Sequence, residues 1–543
     1  MLSFASIVVL LAVLGYTTLL VVNARRARRW DDARDFLDGG QYSTWQVFTL
    51  VSALWCSSIF VVEMETGYLL GVSALWFGFG TVLMALVTGY LVPTFRRLGY
   101  LTSSGVIGAR FGTAARVLSG LVIGLTFPIF AMSNVLGAAG FLQHVARWPL
   151  PATLALAVLV IVGYVGLGGM AALARAQAVN LGVMTVGLLA AVAWAVHSTP
   201  IGHLSTAVPA PLLSPAGAGA SLIITWVSSA LLNVVNAQAE LQILTAARDN
   251  RSARRGLHAA LVFTSGFTIA AVAVGIAARS AAGPHQLGIV AIPSLFDHAP
   301  TALLAVVALA VWVSALTWSA PLMLSGAISL GVDVLRPLLT LTRRATPRTL
   351  PFYVRVSLVA QGLLVVGFAL LRPADLAWWR IFGQTVRTGA LFGVTVAVLA
   401  LPTISRRTAL GSILTGTAGG LGWNLLTGFS ADHFALGINP MWIGASIGMI
   451  VLAAGALAGH RHQAASLLRA PGPIALILLA TGDVTALTQW PQQAARAGLS
   501  GPGVLIAAGA LLTLAWLAHQ PTTERDNQPA APSLAAVPSP DLP

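Results

Sequence analysis

Lysine does not occur in this chain: all 30 of its basic residues are arginine. No mechanism attaches to that choice. A single cysteine, Cys56, excludes an intrachain disulfide and a metal site built from several thiolates. Charge is scarce in general, 8% of residues, where an ordinary soluble protein has roughly a quarter. Apolar residues fill the space, 57% of 543, with a mean hydropathy of +0.84. These shortages exclude a water-soluble globular domain and leave an integral membrane protein, in which one bundle of many spans is expected. The formal charge of +14 does not imply a nucleic-acid partner. The arginines fall in short clusters between apolar runs, where they orient spans, and not along one polar face.

Apolar runs of about 20 residues, the length that crosses ~30 Å of hydrocarbon, begin near Leu2, Gln46, Val72, Val117, Pro151, Gln177, Ala218, Gly256, Thr301, Phe352, Leu376, Thr408 and Ile438. Two weaker runs begin near Pro473 and Gly503. An all-α polytopic protein of about 13 to 15 spans is expected. The first run has no positive residue before it and Arg25, Arg26, Arg28 and Arg29 after it. A cleavable signal peptide has the opposite arrangement, so the run reads as a retained span with its N-terminus outside. On that topology about 24 arginines lie inside and about 6 outside, a bias that fixes orientation. The stretch from Gln520 to Pro543 is rich in Pro, Ala and polar residues and reads as a disordered cytoplasmic tail. The expected location is the cell (inner or plasma) membrane, in contact with the lipid bilayer.

Helix-weakening residues interrupt several runs: Gly67 and Gly71, Pro128, Gly168 and Gly169, and Pro321. Gly and Pro are common in membrane helices, so none of these alone marks a site. Less ordinary is VVEMETGYLLG, which sets Glu63 and Glu65 in one of the most apolar parts of the chain.

Several segments resemble, in order, those of the sodium:solute symporter family. FLDGGQYSTWQVFTLVSALW resembles the family's entry into its second span, and GYLLGVSALWFGFG its G-Y-x-x-G-x-S-x-x-W run. YLTSSGVIGARFG is similar to its Y-L-T…R-F-G loop, and YVGLGGMAALARAQAVN to its Y-x-x-x-G-G signature. QAELQILTAARDNRSARRG and ISRRTALGSILTG resemble two further segments. The colinear order, from Phe36 to Gly416, carries the resemblance.

The resemblance implies a LeuT-type inverted repeat of five plus five helices, with extra N- and C-terminal helices. It divides the chain into a first helix (1–23), two halves (45–197 and 218–403), additional C-terminal helices (408–518) and the tail (520–543). In such folds the first helix of each half is unwound near the midplane. On an intact helix Glu63 and Glu65 would point about 200° apart, and one would meet lipid or apolar packing. Unwinding between Val62 and Gly67 would instead turn both toward a watery cavity. The alternative is that both lie at the outer end of the span, in the headgroup layer.

Arg380, Gln384 and Arg387 recur at intervals of four and three and so share a helix face. The resemblance places that helix over the first core helix, so Arg387 or Arg380 is expected to pair with Glu63 or Glu65 as an external gate or part of the solute site. Gln238 and Gln242 match glutamines of a family segment and suit hydrogen bonding to a small polar solute. Glu240, between them, reads as the cytoplasmic end of the span.

No organic cofactor is implied; a sodium ion is the coupling ion that the resemblance implies. Its carbonyl ligands fall on Ser52 and Trp55. Its hydroxyl pair falls on Ser314 and Ala315, or on Thr317 if the alignment slides. Ala315 cannot ligate, Ala176 and Gln177 stand where the family has Thr-Asp, and Ile243 stands where it has Arg. Sodium and proton coupling both stay open, with Glu63 or Glu65 as the proton carrier.

No enzyme constellation stands out, and His460 and His462 read as solvated interface residues. The expected function is secondary active transport: ion-coupled symport of a small polar solute by alternating access. The alternative is a transport-deficient relative acting as a membrane sensor or as the partner subunit of another protein.

Overall fold

The computed structural model describes residues 3–27, 41–199, 208–283, 288–341, 350–373, 376–400, 404–430, 434–435 and 439–459. The weaker runs near Pro473 and Gly503, the tail and the two histidines lie outside the described residues.

The described chain is helical from end to end. A first helix α1 (Phe4–Ala27) precedes α2 (Thr44–Leu70), which a 3₁₀ turn (Gly71–Ala74) joins to α3 (Leu75–Leu98). A short α4 (Ser103–Phe111) leads into α5 (Thr113–Ala146) and then α6 (Leu150–Ser198). The next span is in two pieces, α7 (Ala220–Asn233) and α8 (Gln238–Thr245), with a 3₁₀ turn (Val234–Asn236) between them. Then come α9 (Asn250–Ala282), a short α10 (Gly288–Ser294) and α11 (Thr301–Ile328), which runs through a π turn (Ser329–Leu335) into α12 (Arg336–Leu341). The last described helices are α13 (Leu350–Leu371), α14 (Leu376–Ala400), α15 (Arg406–Leu426) and α16 (Pro440–Gly459).

Among the described residues, eight helical stretches are long and apolar enough to cross a membrane. Two of them are folded spans: 44–98 turns at Gly71, and 150–198 at Gly169, whose φ of 53° and ψ of −142° break the helix inside α6. Each predicted start from Leu2 to Ile438 falls on or next to one of the helices above.

Helix α2 lies at the centre, with every residue from Thr49 to Tyr68 buried. It begins on a full capping box: Ser43 Oγ accepts the Gln46 N–H and the Gln46 side chain accepts the Ser43 N–H. Helix α9 packs along it and nearly touches its backbone. A Cβ at Gly256 would come within 2.7 Å of Thr44 O, and one at Gly275 within 2.2 Å of Met64 O. Small residues permit this approach, which in a bilayer replaces the missing hydrophobic drive with close packing.

Two prolines leave rungs of the helical ladder open, and an amide from another helix takes each freed carbonyl. Pro128 in α5 has no N–H for Gly124 O, and Gln361 Nε2 of α13 donates to it at 2.5 Å. Pro321 in α11 frees Thr317 O, which receives Gln177 Nε2 of α6 at 3.4 Å. Sequence alone could place these prolines in spans but not their partners.

At the end formed by α4 and the π turn, Asp333 is fully buried. It accepts Thr102 Oγ1, Ser104 Oγ and Arg116 Nε, each at 2.6 Å. A buried carboxylate needs such partners, and removing the one cation leaves an uncompensated charge. Arg116→Ala is predicted to cost about 3 kcal/mol, checked by the thermal unfolding midpoint in detergent. An unchanged midpoint would show that the two hydroxyls suffice.

Candidate functional site

Helix α14 presents Arg380, Gln384 and Arg387 to one cavity, as their spacing predicts. The space free of protein atoms between these groups, counting the part open to solvent, is about 610 Å³. Helix α2 contributes Leu54, Trp55 and Ser58, and α3 contributes Phe77, Thr81 and Met84. Phe127 and Phe130 come from α5, and Trp318 and Leu322 from α11. The broken span completes the wall with Ala230, Asn233, Ala237, Ala239 and Glu240. Its lining, apolar and aromatic side chains with a few convergent polar groups, has the character of a small-molecule site.

The break in that span is real backbone: Ala237 has φ −73° and ψ 55°, outside the helical region. Asn236, inside the break, accepts Thr395 Oγ1 of α14 at 3.0 Å. One of the two unwound core helices implied by the resemblance is therefore present. The other is not: α2 is unbroken from Thr44 to Leu70, and its interruption comes later, at Gly71 (φ 62°, ψ −139°).

Glu63 and Glu65 consequently point in opposite directions from an intact helix and do not line the cavity. The expectation of unwinding between Val62 and Gly67 is corrected for a physical reason: α2 has protein on all sides, so neither acid meets lipid. Glu63 faces α3 and α9, where a Cβ at Gly78 would meet Thr268 and come within 3.1 Å of Glu63 Oε1. Glu65 Oε2 accepts the Leu376 N–H at 2.9 Å, at the N-terminus of α14, where orphan donors and the helix dipole favour a carboxylate. Both side chains are buried in protein near the end of α2 at Leu70.

Neither Arg380 nor Arg387 forms an ion pair with these acids within 4 Å among the described residues. Arg380 lies within electrostatic range of Glu63 and Glu65 but spends its hydrogen bonds elsewhere. Its Nη1 donates to Ser58 Oγ (2.5 Å), its Nη2 to Ser58 O (2.8 Å) and Asn134 Oδ1 (2.6 Å), and its Nε to Ser133 Oγ (3.2 Å). It also sits over the Trp318 ring at 4.8 Å. Arg380 is thus a tie between α14, α2 and α5, with four acceptors and two acids nearby.

Arg387 differs. Its Nε and Nη2 both donate to one neutral oxygen, Thr126 Oγ1, at 3.1 and 3.0 Å. The rings of Phe127 and Phe130 flank its guanidinium at 4.1 and 4.6 Å. The side chain is 2% exposed, and among the described residues no carboxylate reaches it. A buried cation with neutral neighbours is costly unless a ligand supplies the anion.

Gln238 and Gln242 lie outside the cavity and serve as clasps. Gln238 Nε2 donates to Ser325 Oγ (2.9 Å) and Ser329 Oγ (3.1 Å), and its Oε1 accepts the Ser103 N–H (2.9 Å). Gln242 Nε2 donates to Leu101 O at 2.9 Å. Their hydrogen bonds go to α4 and its neighbours, and neither side chain forms part of this cavity's wall. Glu240, read from sequence as a span end, is the member of this segment that reaches the cavity.

Of the sodium-ligand candidates, Ser314 Oγ donates back to Val311 O at 2.8 Å and Ala315 has no side-chain oxygen to offer. Thr317 is better placed. Its hydroxyl is buried without a partner, and its carbonyl is the one freed by Pro321. Trp55 brings α2 to the same region, its ring 5.8 Å from that of Trp318, and Ser52 Oγ is likewise buried without a partner. Oxygens of this kind suit a hard monovalent cation. The sequence reading missed Ser58, Thr126, Ser133 and Asn134. A polar side chain inside an apolar run was the available signal, and it does not tell a cavity from a helix contact.

The sequence model of the sodium:solute symporter family matches residues 36–330, more than half of the chain. No curated protein matches the sequence. Among solved structures, a Na+-coupled sialic acid symporter in a substrate-bound outward-open state is similar in fold. It is 17% identical with a TM-score of 0.67, over 83% of this chain and 97% of that one. A nucleobase-cation-symport-1 family transporter, closed with bromovinylhydantoin bound, aligns with a TM-score of 0.53 and 11% identity, over 79% of this chain and 95% of that one. At such identities the likeness is one of fold. With colinear motifs, a broken core helix and a cavity of mixed apolar and polar lining beside it, the chain belongs to the sodium:solute symporter family, ion-coupled transporters with the LeuT-type fold.

Proposed function

We propose that this protein is a sodium-coupled symporter for a small carboxylate-bearing solute, with Arg387 as the anchor of the carboxylate. The observation that carries the reading is the unmatched charge of Arg387 in the cavity wall. A carboxylate there replaces lost hydration with bidentate, charge-assisted bonds. The aromatic walls take the apolar part of the solute. The Ser52 and Thr317 hydroxyls, both buried without a partner among the described residues, form the sodium set beside Trp55, since the Ser52 and Trp55 carbonyls belong to the unbroken ladder of α2; the thinness of that set leaves protons as the competing ion. The arginine-rich turns gather at one end, where Tyr42 pairs with the backbone of Ala246 and Arg248, and Arg96 reaches Arg248 O. That supports reading this end as cytoplasmic and the N-terminus as outside.

The test is uptake into proteoliposomes of radiolabelled small carboxylates under an imposed sodium or proton gradient. Accumulation under sodium alone is expected, and Thr317→Ala should raise the sodium concentration for half-maximal uptake about tenfold, the effect of losing about 1.4 kcal/mol. Accumulation under a proton gradient alone would overturn the sodium assignment. Accumulation under neither would favour a transport-deficient partner subunit.

A further inference from the structure

We propose that Glu240 is the cation-binding half of the same solute site, so that the solute is a zwitterion whose charged nitrogen meets Glu240 while its carboxylate meets Arg387. This rests on the carboxylate reading above and narrows it.

Glu240 is 1% exposed, lines the cavity, and has neither oxygen in a hydrogen bond among the described residues. The Trp55 indole N–H lies beside it without closing one. It stands in the first turn of α8, just past the break at Ala237, which is how a side chain of this span comes to look into the cavity. Two further acceptors on the same wall lack donors, Asn233 Oδ1 and Gln384 Oε1. Acceptors without donors, at a place where burial makes each one costly, call for a ligand rich in N–H groups. An ammonium or guanidinium group supplies these donors together with the charge that Glu240 requires.

The charge ledger of the cavity points the same way. Arg380 is matched by its four hydrogen bonds and by Glu63 and Glu65 nearby. Of the charged groups that line the cavity, Arg387 and Glu240, on different helices, are the two with neither an ion pair nor a nearby opposite charge among the described residues. A solute carrying both charges neutralises both, whereas a simple anion leaves Glu240 stranded. The rings of Trp55, Phe77 and Trp318 add faces that attract a nitrogen cation. A metal centre is not supported: among the described residues no three His, Cys, Asp or Glu side chains cluster.

The experiment uses the full chain in proteoliposomes under a sodium gradient with three matched probe sets. These are L-phenylalanine and L-leucine; the acids without nitrogen, 3-phenylpropanoate and 4-methylpentanoate; and the amines, phenethylamine and isoamylamine. The expected result is accumulation of at least one zwitterion at about ten times the rate of its matched acid and amine, the ratio given by about 1.4 kcal/mol. Glu240→Gln should lower that preference over the acid by about the same factor, and Glu240→Asp should restore part of it. Because the readout is a ratio between probes in one preparation, reduced yield of a variant does not mimic it. Equal transport of zwitterion and acid by the native protein, or a ratio unchanged in both variants, overturns the Glu240 assignment while leaving the Arg387 reading standing. Failure of every zwitterion also overturns it. Uptake of the acids that survives Arg387→Gln overturns the underlying carboxylate reading instead.

Discussion

Arg387→Gln is expected to reduce solute accumulation at least about 100-fold while leaving the protein as stable as before or more so. The two halves of that expectation have one cause. Truncating one member of a buried charge pair typically costs about 2–5 kcal/mol of binding, and about 2.8 kcal/mol corresponds to about 100-fold. Among the described residues the same guanidinium has only Thr126 and two rings for company, so its removal relieves a burial cost. Arg387→Lys should recover little, because a compact ammonium neither stacks between Phe127 and Phe130 nor offers a planar fork. Arg380→Gln provides the contrast: it severs four hydrogen bonds among α14, α2 and α5 and should lower the unfolding midpoint. Uptake assays paired with thermal unfolding separate the two. If Arg387→Gln unfolds the protein as Arg380→Gln does, Arg387 is a structural residue and the anchor assignment fails.

The second large effect is predicted far from any ligand. A valine at Gly275 would set its Cβ 2.2 Å from Met64 O, 2.8 Å from Tyr68 N and 3.0 Å from Gly67 C. All three are backbone atoms, so no rotamer change relieves the clash, and α9 must move off α2. Overpacking of this kind usually costs about 1–3 kcal/mol and more where backbone opposes backbone, so about 3 kcal/mol or more is expected. The outcome should be loss of the monodisperse peak in size-exclusion chromatography in detergent. Gly266→Ala in the same helix is the control. A methyl group there would meet nothing within 4 Å, and exchanging a helical glycine for alanine should gain about 0.5–1 kcal/mol. A Gly275→Val protein as well behaved as that control would refute the close contact between α2 and α9.

How legible all this was depended on whether a feature is local or relational. The spans were readable because length and apolarity are properties of one segment, and the shared face of Arg380, Gln384 and Arg387 because helical spacing is too. What could not be read was which neighbour each side chain meets. Glu63 and Glu65 were expected in a cavity because an intact helix would send one of them into lipid, an argument that holds for a peripheral helix and not for the most enclosed one. Gln238 and Gln242 have the chemistry of solute ligands, yet serine hydroxyls of α11 and the π turn and the α4 backbone had claimed them. Glu240 shows the reverse: its role depends on a backbone break three residues earlier, which no periodicity signals.

The open rung at Pro321 has a mechanical consequence. The same Thr317 oxygen that accepts Gln177 of α6 belongs to the residue proposed above as a sodium ligand, and α6 itself bends at Gly169, eight residues before that glutamine. A sodium ion held by the Thr317 hydroxyl, as proposed above, would sit beside the tether that fastens a jointed helix to its neighbour. On that proposal, filling the ion position would load the joint at Gly169 through α11.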